Sequence, residues 1–438
     1  MSKDAAILKS ALCRTIDEKR DEIIGLLRQF LRIRSVNPPG DMREAAAFVR
    51  TLLDGFGVPH RTVALKDSMP NIIGRWDAGA AGRHLVLNGH MDVFPVTDER
   101  LWNADIVDGR IMGRGASDMK TGTLAAILTY CYLYPYRAHL TGALTLTVVS
   151  DEQSGGRYGT KYLFDAFADE IAGDCCLNGE PSGLANIRFT EKGTLRFSLS
   201  AQSAGGHGGY PHRAPNPIEQ ICKLIAGIYE RYHLKLATLP ADIDAILASP
   251  ESVAAADANL GAGAADNARR ITVNAGIIEG GRKATQIPTG CIAHIDIRFP
   301  IGSDRDVIRA DIEALAADHG CAMVVNEDHS YPASITDPFG EMATILRGNI
   351  KDLLGHEAPP VCSLGGTDTR YWRWRNIPAI ICGPSPISMG TDDEHVTVDE
   401  AIAVVKLQAM CAVDYMTGAG NPHQAEGRSA SSRRRTGD

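Results

Sequence analysis

Leu85-Val86-Leu87-Asn88-Gly89-His90-Met91-Asp92 reads as a short apolar strand running into a polar exit. Three consecutive aliphatic residues bounded by loop-forming ones suit a strand buried inside a fold. At the exit, an imidazole and a carboxylate stand two residues apart. That spacing suits a metal ligand and the group that orients it, because a ligating histidine commonly donates its other ring N–H to a carboxylate. A structural histidine fits the same place, so the reading depends on the neighbours.

Similar apolar runs lie at 143–149 and 175–177, each ending in polar or glycine-rich sequence, and helical stretches fill 121–134 and 159–167. Upstream, Ile23, Ile24, Leu27, Phe30 and Leu31 form one stripe of a helix over 15–35, which Asn37-Pro38-Pro39-Gly40 stops. The first 188 residues therefore read as layered α/β. In such sheets ligands gather at the carboxyl ends of the strands, and the unusual residues fall there.

Asp118 sits in the glycine-flanked loop Gly113-Arg114-Gly115-Ala116-Ser117-Asp118-Met119-Lys120-Thr121-Gly122, where it could equally cap a helix. Ser150-Asp151-Glu152-Gln153-Ser154-Gly155-Gly156 follows a β-branched pair. Asn178-Gly179-Glu180-Pro181 ends another apolar run, and Glu394-His395-Val396-Thr397 opens the last helix. Oxygen and imidazole donors without cysteine suit a catalytic Zn, Mn or Co site.

From about residue 190 the order becomes strand (193–201), helix (216–231), strand (272–278), strand (291–298), helix (304–319), strand (321–326). This β-α-β-β-α-β order is that of a ferredoxin-like unit. An Ala/Gly/Asp-rich connection with some helix interrupts it at 237–267. The α/β pattern resumes after Asp328 with a helix at 340–354, a turn at Gly365-Gly366, a strand at 377–382 and a helix at 398–416. The expected organisation is thus a catalytic domain over 1–188 and 329–417, an inserted domain over 189–328, and a disordered tail over 418–438.

A chain of 438 residues with 45 Lys plus Arg against 53 Asp plus Glu carries a net charge of −8. That balance argues against a nucleic-acid or anionic-membrane surface, and no apolar run approaches the roughly 20 residues of a membrane span. The polar segment 1–20 carries no export signal, and ten irregularly spaced cysteines suit reduced thiols, so the expected compartment is the cytoplasm. No internal repeat or glycine-rich nucleotide fingerprint is present.

In order and spacing these pieces resemble the metal-dependent peptidase and deacylase family of carboxypeptidase G, aminoacylase, acetylornithine deacetylase and succinyl-diaminopimelate desuccinylase. The likeness runs from about Ile24 to Ala412. It implies a mixed-sheet α/β metallohydrolase domain with an inserted α+β dimerisation or lid domain. It also implies one or two divalent ions, with Asp118 bridging, His90 and Glu180 on one ion, and His395 with the residue at Gln153 on the other. Glu152 matches the general base and Asp92 the partner of His90. The family usually carries a second glutamate where Gln153 stands, and a neutral amide is the weaker donor to a hard cation.

The resemblance further implies that His207, within Gly206-His207-Gly208-Gly209-Tyr210-Pro211-His212, reaches the partner's active site in a homodimer to stabilise an oxyanion. Asn274, Arg298, Gly366 and Arg370 match the substrate cleft, although the family often has Asn where Thr285 stands. Arg298 and Arg370 are candidates to grip a carboxylate in bidentate fashion, and each could instead serve an ordinary ion pair. The implied reaction is amide hydrolysis of a small carboxylate-bearing N-acyl amino acid or peptide-like substrate by metal-activated water. Hydrolytic deamination of a carboxylate-bearing amine is the alternative, and a non-catalytic binding protein of the same fold the second.

Overall fold

The computed structural model describes residues 3–418, so the expected tail lies, beyond Gly418, outside the described residues. The described chain divides into two compact units. One is drawn from residues 3–189, 336–360 and 367–418, the other from Thr190–Ile335 and Val361–Gly366.

The first unit is built on a six-stranded sheet in the order Arg61–Val63, Asn71–Asp77, Thr141–Val149, Ala80–His90, Cys175–Asn178, Ala379–Ile381. The first three pair antiparallel and the last four parallel, giving the expected mixed sheet. Alternation of side chains gives the sheet two apolar faces. Leu85, Leu87, Leu144, Leu146 and Val148 join the larger core, while Val86, Val149, Ile73 and Cys176 join a smaller one. Helices cover both faces, and Lys120–Leu133 is buried along its whole length, as its apolar circumference requires. The Lys120 amine donates to the carbonyls of Phe30 (3.0 Å) and Ile33 (2.7 Å), satisfying the end of helix Arg20–Arg32.

Two local expectations change. The single helix expected over 15–35 is two, Lys3–Glu18 and Arg20–Arg32, separated at Lys19, whose φ of −95° and ψ of 12° are not helical. Ala5, Leu12 and Ile16 are buried along the first of these helices, an apolar stripe disguised by the charges between its members. Strands Arg61–Val63 and Asn71–Asp77 were not anticipated, and they form the antiparallel side of the sheet.

The second unit has a four-stranded antiparallel sheet in the order Thr272–Gly280, Gly290–Phe299, Gly193–Gln202, Ala322–Val325. Helices Pro217–Tyr232 and Arg305–Asp318 share its core through Ile221, Leu224, Ile228, Ile308 and Ile312. Chain order and pairing follow the split β-α-β pattern of ferredoxin-like units. The Ala-rich connection folds as three short helices, Ala241–Leu247, Pro250–Leu260 and Ala264–Ala268.

Candidate metal centre

His90 is the last residue of its strand, Asp118 lies just ahead of helix Lys120–Leu133, and Glu180 follows strand Cys175–Asn178. These three buried residues offer ligand atoms that all lie within 4.8 Å of one another. His90 Nε2 is 3.1 Å from Asp118 Oδ1 and 3.4 Å from Glu180 Oε1. Their meeting requires two backbones to touch: a Cβ on Gly122 would lie 1.8 Å from the Gly179 carbonyl oxygen, so only glycine lets the helix approach the Glu180 turn. Asn178 Oδ1 accepts the Glu180 N–H at 2.8 Å, and its amide donates to Asn88 Oδ1 at 2.6 Å.

The Asp118 loop is gathered by Glu394. Its Oε1 accepts the backbone N–H groups of Gly115 (3.0 Å), Ser117 (3.1 Å) and Asp118 (3.1 Å), and its Oε2 pairs with the buried Arg114 guanidinium. Asp92 does the same for the opposite loop, accepting from Glu152 N (3.2 Å), Gln153 N (2.9 Å) and the Asn37 amide (2.9 Å). Asn37 also donates to Asp151 Oδ1 at 3.1 Å, and Asp151 Oδ2 accepts the Tyr158 N–H at 2.9 Å. Asp151 is therefore a loop organiser.

Glu152 is turned toward the cluster, with Oε2 4.0 Å from His90 Nε2. Its Oε1 accepts from Arg370 Nη1 at 3.3 Å. The guanidinium expected to grip a substrate carboxylate is thus 2% exposed, beside Glu152 and 3.8 Å from Asp368. Gln153 Nε2 donates to Asp118 Oδ2 at 3.0 Å.

Electrostatically the cluster favours positive charge. Burial opposes charging His90, yet the field of Glu180 and the hydrogen-bonding carboxylates of Asp118 and Asp92 outweigh it and hold the imidazole well above its ordinary range. Burial, then repulsion from Asp118, pushes Glu180 up to about 7. Glu152 is raised well above the usual range by burial and by Glu180, against the pull of His90 and Arg370. Asp92 stays low despite burial because His90, Asn37 and the Gln153 N–H support its charge. His90 Nδ1 lies 2.9 Å from the Asp92 carbonyl oxygen, so a cation that replaced the Nε2 proton would sit between that nitrogen and two carboxylates. Glu180 Oε1 is buried and has no hydrogen-bond donor among the described residues. A divalent cation fits these donors, which are all nitrogen or oxygen.

Of the remaining expected residues, His395 belongs to the first unit and the others to the second. His395 Nδ1 lies 2.6 Å from the Asp393 carbonyl oxygen, and its ring does not join the three-residue group. In the second unit, His207 is exposed and its Nδ1 accepts the Gly209 N–H at 3.1 Å. Asn274 is exposed on strand Thr272–Gly280. Arg298 is half-buried, donating to Asp296 Oδ2 at 3.1 and 3.2 Å and to the Leu364 carbonyl at 3.4 Å. At Gly366 a Cβ would meet the Tyr331 hydroxyl at 2.1 Å, so a side chain is excluded there by close packing. Glu394 and Asn37 were not singled out from the sequence. Glu394 stands next to His395, and the only advance signal was a carboxylate in the same polar segment.

Residues 86–413 match the model of peptidase family M20/M25/M40. A succinyl-diaminopimelate desuccinylase from Cereibacter sphaeroides is 28% identical over 409 residues, covering 90% of this chain and 99% of the relative. The crystal structure of an M20 family metallo-carboxypeptidase from Sulfolobus solfataricus superimposes with a TM-score of 0.77 at 18% identity, covering 90% of this chain and 99% of that one. A dinuclear metal-binding peptidase of the M20 family from Bacillus subtilis gives 0.61 at 14% identity, covering 91% and 99%. Among the described residues no helix is long and apolar enough to cross a membrane.

Proposed function

Since the chain belongs to peptidase family M20/M25/M40 and is a hydrolase of that family, we propose that it cleaves the amide C–N bond of a small, carboxylate-bearing N-acyl amino acid or peptide-like substrate. His90, Asp118 and Glu180 would hold the divalent cation, Zn, Mn or Co. The observation that carries this reading is the convergence of three buried donors within 4.8 Å, with a third carboxylate, Glu152, just outside them.

When bound, the cation supplies Lewis-acid polarisation and lowers the pKa of water from about 15.7 to near 7. Glu152 is the general base. Arg370 holds its Oε1, leaving Oε2 turned toward the cluster to take a proton from water and return it to the leaving nitrogen. Burial suits this role, because it favours a carboxyl that keeps a proton between the two transfers. Asp92 holds the His90 ring and the Glu152 backbone together, so the base and the imidazole keep one relative position. Arg298, Asn274 and the loop at Gly366 are assigned to substrate binding. The second unit is assigned to a homodimer in which the partner subunit's His207 supports the oxyanion.

The test is a substrate panel of N-acyl amino acids, including N-succinyl ones, dipeptides and aromatic amines. Release of a carboxylate and an amine is expected, abolished by a chelator and restored by Zn, Mn or Co. Glu152→Gln should lower turnover about 10² to 10⁴-fold with metal content unchanged. Ammonia release without an acyl product would replace this reading with deamination, and a protein that takes up no divalent ion would end it. Light scattering checks the homodimer: a fully active monomer, or full activity in His207→Ala, removes the trans role.

A further inference from the structure

We infer that this centre holds one divalent cation, because Gln153 occupies with a hydrogen bond the oxygen of Asp118 that a second cation needs. The inference rests on reading His90, Asp118 and Glu180 as the first cation's ligands.

Asp118 divides its two oxygens. Oδ1 faces His90 Nε2 at 3.1 Å, inside the donor cluster, while Oδ2 accepts from Gln153 Nε2 at 3.0 Å. Gln153 cannot drift from this position easily, since its own N–H is tied to Asp92 Oδ2 at 2.9 Å. Only the NH₂ end of an amide can face a carboxylate oxygen favourably, because the carbonyl end is itself an acceptor. For a second ion to share Oδ2, the side chain must give up this bond and turn its carbonyl inward.

The donors left for such an ion are poor. They are one already shared carboxylate oxygen, a neutral amide, and His395, which hydrogen-bonds near Asp393 outside the three-residue group. The first site, by contrast, has two carboxylates and an imidazole, whose formal charge matches a divalent cation. Hard cations are selected by carboxylate oxygens. At Gln153 the chain has exchanged a ligand for an outer-shell partner: the amide fixes the Asp118 carboxylate as hydrogen-bonded supports fix metal ligands elsewhere.

Equilibrium dialysis of the chelator-stripped full chain against Co²⁺ or Zn²⁺, with metal counted per chain by mass spectrometry, tests this without an activity assay. Wild type should bind one ion, and Gln153→Glu should bind two. Gln153→Met, which removes the hydrogen bond and adds no oxygen, should still bind one, with a dissociation constant raised about tenfold or more. Two ions in the wild type overturn the inference and leave the proposed function standing. No ion in the wild type overturns both. A single ion in folded Gln153→Glu shows that Gln153 does not set the number, and an unchanged dissociation constant in Gln153→Met shows that its amide does not support Asp118. Circular dichroism verifies folding, and the ion count of the wild type decides the matter if Gln153→Glu does not fold.

Discussion

In the first unit His90, Asp92, Asp118, Glu180 and Glu394 are each at most 6% exposed. In the second unit His207 and Asn274 are exposed and Arg298 is half-buried. A buried polar group must find its partners within the protein, and those of the first unit do so through several bonds apiece: three backbone N–H groups on Glu394, two N–H groups and an amide on Asp92. The His207 ring accepts one bond, from the Gly209 N–H, and makes a tilted ring contact with Tyr210 at 5.4 Å. The first set is over-determined and so pre-organised before anything binds. In the second, Arg298 is held by Asp296 and the Leu364 carbonyl, while the His207 ring is held more lightly.

The comparison breaks first at its strongest point. Glu394→Gln leaves Arg114, 2% exposed, without its carboxylate partner and weakens three loop contacts. Removing one partner of a buried ion pair costs about 3 to 5 kcal/mol. Asp296→Asn in the second unit disturbs a pair whose side chains are 26% and 27% exposed, and the loss there should be about 0 to 1 kcal/mol. Urea denaturation of the two variants, followed by circular dichroism, measures both. Equal losses would mean that the hydrogen-bond lattice around Glu394 holds nothing the open sheet lacks.

That lattice also marks where sequence reading stopped. His90, Glu152 and Glu180 were visible because each follows an apolar run, where a polar residue at a strand exit stands out locally, and Asp118 because it stands in a glycine-flanked loop before an apolar helix. Glu394 and Asn37 act on backbone N–H groups and side chains far away in the chain, and no local pattern encodes such a partner. Arg370 was seen as a cation near a glycine turn, but its neighbour Glu152 is distant in sequence, so its placement beside the base was not legible. The strand and helix order of the second unit was readable because its elements are long and amphipathic. The helix boundary at Lys19 was not, since both sides carry helical periodicity and only a local change of φ and ψ separates them.

A smaller effect tests whether close backbone packing, and not polar bonding alone, sets the centre. In Gly122→Ala the new Cβ meets the Gly179 carbonyl oxygen at 1.8 Å, a rigid neighbour that cannot rotate away. Overpacking of this kind costs about 1 to 3 kcal/mol, and displacement of the Glu180 turn should weaken cation binding as well. Gly227→Ala, in helix Pro217–Tyr232 of the second unit, meets only the flexible Leu315 side chain, Cδ2 at 3.3 Å and Cδ1 at 3.9 Å. There the helix-propensity gain of roughly 0.8 to 1 kcal/mol should offset the contact. Thermal denaturation and cation affinity of the pair decide the question: a Gly122→Ala protein as stable as Gly227→Ala would remove the close approach from the account of how Asp118 and Glu180 meet.

The smallest effect separates two histidines on one strand. His90, among carboxylates, is pushed up, whereas His84 is pulled down to about 4 by burial and by Arg75. Its ring nitrogens lie 2.7 Å from Thr145 Oγ1 and 3.5 Å from Arg75 Nη1. An unfolded histidine titrates near 6.5, so between about 6.5 and 4 the unfolded chain binds a proton that the folded chain refuses. Stability is therefore unaffected by this group above pH 6.5 and falls as pH is lowered through that window. His84→Gln removes the titration while keeping a polar side chain at the site. The difference between wild type and variant in urea midpoint should shift against the wild type as pH drops from 7 to 4.5, by an amount reduced by the partial exposure of the ring. A difference independent of pH would mean that His84 titrates in the folded strand as it does in the unfolded chain, and that burial and Arg75 do not shift it.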